Sequence, residues 1–201
     1  MHKELSGFGD NAVATMQSNV TVPEGMGIEG YYHVECRDAQ GNLKWEEQFP
    51  NLVVAVGKEL MLNTLLSGTS YTTTGPYLGL ISGTGNTFAA SDTMSSHAGW
   101  SEFTPYLVGG SAVRGTAVFG AASSSGLTPA NVTTKAASAI TYVITGIGGT
   151  VGGCFLVTGA GASSTISNTS GTLYSAGAFA TAKITTIGDT VSVTYSTTAT
   201  S

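Results

Sequence analysis

The sequence predicts a mainly β protein: an antiparallel β-sandwich, immunoglobulin-like or jelly-roll-like, with one helix and an extended N-terminal arm. Three observations carry this expectation. Apolar and polar residues alternate over short stretches, as strands with one buried face require. Glycine, 28 residues of 201, and Ser-rich turns divide those stretches at short intervals. Only one segment combines helical spacing with a helix's length.

The alternation is clearest from Tyr31 to Phe49. Tyr32, Val34 and Cys36 alternate with His33, Glu35 and Arg37; Leu43, Trp45 and Phe49 alternate with Lys44, Glu46 and Gln48. The intervening Asp38-Ala39-Gln40-Gly41-Asn42 supplies turn residues, so a β-hairpin with opposite charges facing across it is expected. Residues 53–66 read as the helix. Val53, Val56 and Leu60, with Leu52, Met61 and Leu65, make a broad apolar face away from Lys58, Glu59 and Asn63, and Gly68 follows as a stop. The continuous apolar run Tyr77 to Ile81 predicts a buried strand, and residues 82–101 a long polar loop with a short helical turn from Asp92. Further strands are expected at Ala112 to Phe119, Ala139 to Ile144, Gly153 to Thr158, Phe179 to Thr185 and Thr190 to Thr197, the last entered through a Gly188-Asp189 turn. Gly146 to Gly153 is too rich in glycine to be a good strand throughout.

This organisation gives one sandwich domain over residues 30–201, preceded by an arm over residues 1–29. The arm has few large apolar residues and no sustained period, so it cannot bury enough surface to order itself. Val20, Val22, Met26 and Ile28, around Pro23 and Gly25, are its candidate assembly contacts, ordering on a neighbouring subunit by adding a strand or filling a groove.

Composition limits the partners. Hydrophobic residues at 41% supply a core, but charged residues reach only 9%, against about 25% in ordinary domains. A free monomer ordinarily carries more charge for solubility; a subunit covered by neighbours does not need it. Eleven of the twelve acids but only four of the seven bases lie at or before Glu102. No basic stripe exists, so no direct nucleic-acid contact is expected, and the scattered acids disfavour an anionic membrane. The most apolar run, Leu52 to Leu66, is too short to span a bilayer and carries Lys58 and Glu59. Met1 to Asp10 lacks the apolar segment of a secretory leader, which predicts a protein made and kept soluble in a cytoplasm. Cys36 and Cys154 are read as two buried small apolar side chains, since two cysteines make neither a disulfide framework nor a zinc site.

The inventory for chemistry is poor. Among His2, His33 and His97, only His97 lies in a loop with acids nearby, Asp92 and Glu102; a triad with Ser95 or Ser96 would need a geometry that sequence neighbours rarely have. A hydrogen-bonded loop anchor is the expected role of His97. Glu46 and Glu47, adjacent on a strand, point to opposite faces and would not share a substrate. Gly146 to Gly152 lacks the lysine, spacing and following helix of a phosphate loop. No catalytic residue, metal or cofactor is therefore expected, and the chain is not expected to be an enzyme. Trp45, Phe49, Tyr77, Phe88, Trp100, Phe103 and Tyr106 could line a sugar-binding surface, although aromatics more often serve core and interface.

Several stretches carry a resemblance. They are Asn51-Leu52-Val53, the run from Gly57 to Leu66, Tyr77 to Ile81, the run from Phe88 to Glu102 with its Gly99-Trp100-Ser101-Glu102 loop, Tyr106 and Arg114. Gly153 to Leu156, Gly171 to Phe179 and Gly188 to Ser196 complete the pattern. Over roughly residues 43–197 the chain resembles small structural proteins, decoration or tail, of tailed double-stranded-DNA bacteriophages. The resemblance implies a virion component made in the host cytoplasm. The expected role is a capsid decoration or cement protein holding the head shell through oligomer and arm contacts, as a symmetric oligomer such as a trimer. Its partners would be the major capsid protein or tail proteins and copies of itself. A tail tube, adaptor or fibre-base component is the alternative, and a carbohydrate-binding host-adsorption module the third.

Overall fold

The computed structural model describes residues 27–67, 74–122 and 133–200. Along the chain it places β1 (Gly27–Arg37), β2 (Leu43–Pro50), β3 (Leu52–Val53), α1 (Ala55–Leu66), β4 (Tyr77–Ser82), β5 (Ser101–Glu102) and β6 (Tyr106–Leu107). There follow β7 (Gly115–Thr116), β8 (Thr133–Ala136), β9 (Ile140–Ile144), β10 (Gly149–Thr158), β11 (Thr172–Thr185) and β12 (Thr190–Thr200). Two antiparallel sheets result. The first runs β2-β1-β12-β9-β6 and the second β3-β11-β10-β4-β5; β8 adds to β12 and β7 to β4. The expected antiparallel sandwich with one helix is thus the fold.

The β1–β2 hairpin turns where the sequence places it. Asp38 Oδ1 accepts the Gln40 and Asn42 N–H groups at 2.9 and 2.8 Å, and Gly41 supplies the positive φ of 88° that the turn needs. The register corrects one expectation. Glu35 lies directly opposite Glu46, so like charges face each other, an unfavourable pairing by itself. It is relieved by His33 Nε2, 2.6 Å from Glu46, and by Arg37, bonded to Glu35 along the same strand. Glu46 and Glu47 do point apart: Glu47 bonds Lys183 of β11 at 2.8 Å.

The main core lies between the sheets. Tyr32, Val34 and Cys36 of β1 and Val191, Val193 and Tyr195 of β12 pack with Leu78, Leu80, Cys154 and Leu156 of the second sheet. Two phenols tie the layers: Tyr32 Oη lies 2.9 Å from Ser175 Oγ, and Tyr142 Oη donates to the Leu78 carbonyl at 2.7 Å. Burial pushes both phenols well above their ordinary range, so they remain neutral donors. Cys36 and Cys154 are buried free thiols, as expected. Burial pushes Cys36 up to about 11, with the Asp189 charge adding to the effect, and burial also raises Cys154.

A second cluster covers the outer face of the second sheet. Val54, Met94, Trp100 and Ala162 pack there on Ile81, Phe155, Val157 and Leu173. The sheet is therefore buried on both faces, which is why Val151 to Thr158 is buried at every position and shows no alternation. The strand expected from Gly153 begins earlier, at Gly149, while Gly146 to Gly148 stay in the turn before it. The glycines within β10 permit close approach. A Cβ on Gly153 would meet the Gly177 carbonyl oxygen and sit 2.8 Å from Ala178 Cα, and one on Gly152 would meet Gly83 and Asn86.

Three further expectations change. Ala112 to Phe119 forms only the two-residue β7, because successive residues pair with different partners: Val113 with Thr165, Gly115 with Leu78, Phe119 with Ala137. No helical turn begins at Asp92; its carboxylate instead accepts the Ala89 N–H at 3.1 Å, and Thr93 and Ser96 bridge each other. The helix exists, but its apolar face is only partly buried: Val56 packs on the second cluster, and Leu60 and Met61 are half-buried. Gly57 alone is buried, resting against the Tyr174 carbonyl of β11, while Leu62, Leu65 and Leu66 remain exposed.

Candidate assembly surfaces

The described residues expose large apolar side chains at two ends of the sandwich. At the first end α1 presents Leu62, Leu65 (74% exposed) and Leu66, with Val118 nearby. Between them runs an apolar groove of about 840 Å³. Leu60, Met61 and Leu65 of α1 line it, with Val118, Phe119 and Tyr174; among the described residues no charged side chain does. Met61 contributes to the packing of the helix here, its sulfur accepting from Tyr174 Oη at 3.3 Å.

At the other end the β9–β10 turn exposes Ile147 (97%), the end of β11 exposes Ile184 and the β11–β12 turn exposes Ile187. These side chains stand on a fixed base. The Thr186 N–H donates to Asp189 Oδ2 at 2.8 Å, and Lys44 Nζ lies 2.5 Å from the same oxygen. Asp189 is itself buried, so the turn is tied to β2. Gly146 and Gly148, at φ 61° and 74°, allow the tight bend that carries Ile147 outward. Tyr174 and Ile184 are ten residues apart on β11, which separates the two ends by roughly 30 Å at the rise of an extended strand.

A third feature lies on the outer face of the second sheet. Arg114 is buried and forks onto Glu102, Nε to Oε1 at 2.8 Å and Nη2 to Oε2 at 2.7 Å. It also donates to the Ser163 and Asn168 carbonyls at 3.1 and 2.7 Å, and its guanidinium lies 5.1 Å from the Phe155 ring centre. Glu102 Oε2 further accepts the Ser167 N–H at 2.7 Å. Ser167, at φ 62°, is the one non-glycine residue with positive φ among those described. A 220 Å³ pocket adjoins the pair, and His97 shares its lining. His97 stacks on Trp100 with ring centres 3.8 Å apart, its Nδ1 3.2 Å from the Trp100 carbonyl oxygen. It is a loop anchor, as its position predicts. Asp92 accepts the Ala89 N–H, and Glu102 is held by Arg114. Among the described residues no three His, Cys, Asp or Glu side chains converge on a common point.

Comparison of the chain with protein-family models, curated proteins and solved structures finds no match.

Of the four arm residues, Val20, Val22 and Met26 lie outside the described residues. Ile28 belongs to β1, half-buried and paired with Ala199, so the first sheet begins at Gly27, inside the segment assigned to the arm. Of the seven aromatics considered for sugar binding, Phe49, Trp100, Phe103 and Tyr106 are buried and Trp45, Tyr77 and Phe88 are half-buried. None is an exposed stacking platform. Sequence reasoning missed Ile147, Ile184 and Ile187; isoleucines beside Gly-rich turns were the available signal, since an apolar residue at a tight turn has no face to bury.

Proposed function

We propose that this chain is a structural subunit of a tailed-bacteriophage particle, a decoration or cement protein bound to the head shell in many copies. The observation that carries this reading is the pair of exposed apolar ends on one rigid sandwich. Contiguous exposed apolar surface marks a site that another molecule covers. Two such ends let one copy engage two neighbours. A lattice multiplies weak contacts, because each additional tether raises the effective concentration of the next. The low charge agrees, since a covered surface needs few ions to stay soluble. The resemblance over residues 43–197 supplies the particle, and with it the major capsid protein and further copies of this chain as partners, without direct nucleic-acid or membrane contact.

The separation of the two ends favours one second reading, a tail component, because copies that touch through unlike ends stack head to tail. Mass spectrometry and microscopy of purified phage particles separate the two. Many copies spread over the shell support the decoration role, and copies confined to the tail support the second. Absence of the chain from the particles contradicts both.

A further inference from the structure

We infer that the groove beside α1 receives the N-terminal segment, residues 1–26, of a second copy. The inference rests on the reading of the chain as an assembly subunit and names the receiving site. Three features support it.

The first is chemical match. Among the described residues the groove is lined by Leu60, Met61, Leu65, Val118 and Phe119, with threonine hydroxyls among them and no charged side chain. From Asn11 to Pro23 the N-terminal segment also has no charged residue, and its side chains there include Val13, Met16, Val20 and Val22. An extended Val20-Thr21-Val22 presents its two valines on one side (alternate residues share a face), which suits a groove that takes apolar side chains while the backbone and Thr21 face outward.

The second is position. The segment joins the domain at Gly27, which pairs with Thr200 of β12. Thr197, three residues back on β12, lines the groove. The chain therefore enters the fold about 10 Å from the groove at the rise of a strand.

The third is direction. β1 is antiparallel to β12, so β1, traced backward, points at Gly27 past Thr200, away from its own groove at Tyr195 and Thr197. A segment that keeps this direction would reach the groove of a neighbour. The five residue-to-residue steps from Val22 to Gly27 extend at most about 18 Å, enough to cross a subunit boundary.

Cross-linking of the full-length chain tests this. V22C and V118C variants are made separately, mixed and oxidised in air with copper phenanthroline; Cys36 and Cys154 are buried and do not compete. A disulfide-linked dimer is expected in the mixture, increasing with protein concentration and at least tenfold more abundant than with either variant alone. Absence of that crossed dimer at every concentration overturns the inference. So does a V22C/V118C double variant that closes only within one chain, since the segment would then fill its own groove. L65D alters an exposed groove residue and is expected to reduce the crossed dimer at least tenfold with an unchanged circular dichroism spectrum. An undiminished yield overturns the role of the groove. Crossed dimers from a chain missing from phage particles would leave the groove in place and remove the virion reading; a chain present on particles that never cross-links does the reverse.

Discussion

Replacing Arg114 with methionine is expected to lower the unfolding free energy by about 3–5 kcal/mol, the range for removing one partner of a buried ion pair. Arg114 and Glu102 are both buried side chains, 1% and 8% exposed. Without the guanidinium, the Glu102 carboxylate keeps only the Ser167 N–H at 2.7 Å and the Tyr106 hydroxyl at 3.4 Å. The Ser163 and Asn168 carbonyls also lose their donor. Guanidinium denaturation measures the loss. The R114M/E102Q double variant should recover part of it, because a neutral amide is cheaper to leave buried than a charge. A loss below about 1 kcal/mol in R114M would mean that water replaces the guanidinium at no cost, contrary to the burial of the pair.

Phe155→Ala is the second large effect, about 3–5 kcal/mol for truncating a fully buried phenyl ring. Phe155 stands on the outer face of β10, 5.1 Å from the Trp100 ring centre and in contact with Arg114. Its direct cross-strand partner is Gly79 of β4. The phenyl ring lies where a Cβ on Gly79 would be, with Phe155 Cζ 2.5 Å from that point. The glycine is thus a consequence of the ring. Gly79→Ala alone should destabilise by about 1–3 kcal/mol through overpacking, and by clearly less when Phe155 is already alanine. A double-mutant cycle reads this coupling. Additive losses would show that the two positions are independent and that the glycine answers to something else.

These two residues also show where the sequence is readable. The hairpin was legible because β1 and β2 each alternate and Asp38 and Gly41 punctuate the turn. β12 was legible for the same reason, with Val191, Val193 and Tyr195 inward. β10 was legible only from Gly153 onward, because its first residues are glycine-rich and resemble a loop, and a strand covered on both faces loses alternation. The helix was legible from its spacing, but its fate was not: the pattern Leu60, Met61, Leu65 promises a buried face, and the structure leaves that face on a groove. Arg114 and Glu102 are twelve residues apart, and their further partners lie some fifty or sixty residues downstream. Such a network has no local period, so no window of sequence could reveal it. The same holds for the two apolar ends, which are assembled from turns and a helix that only the fold brings into position.

The most direct test of the central claim is a footprint of those ends in the assembled particle. Single L65C and I147C variants place a reactive thiol at each exposed end, 74% and 97% exposed in the isolated chain, against two buried native cysteines. Maleimide labelling should be rapid at both positions in the free protein. In purified particles it should be slowed at least tenfold at both, because each end is then covered by protein. Equal labelling rates in the free and particle-bound chain at both positions would contradict the account.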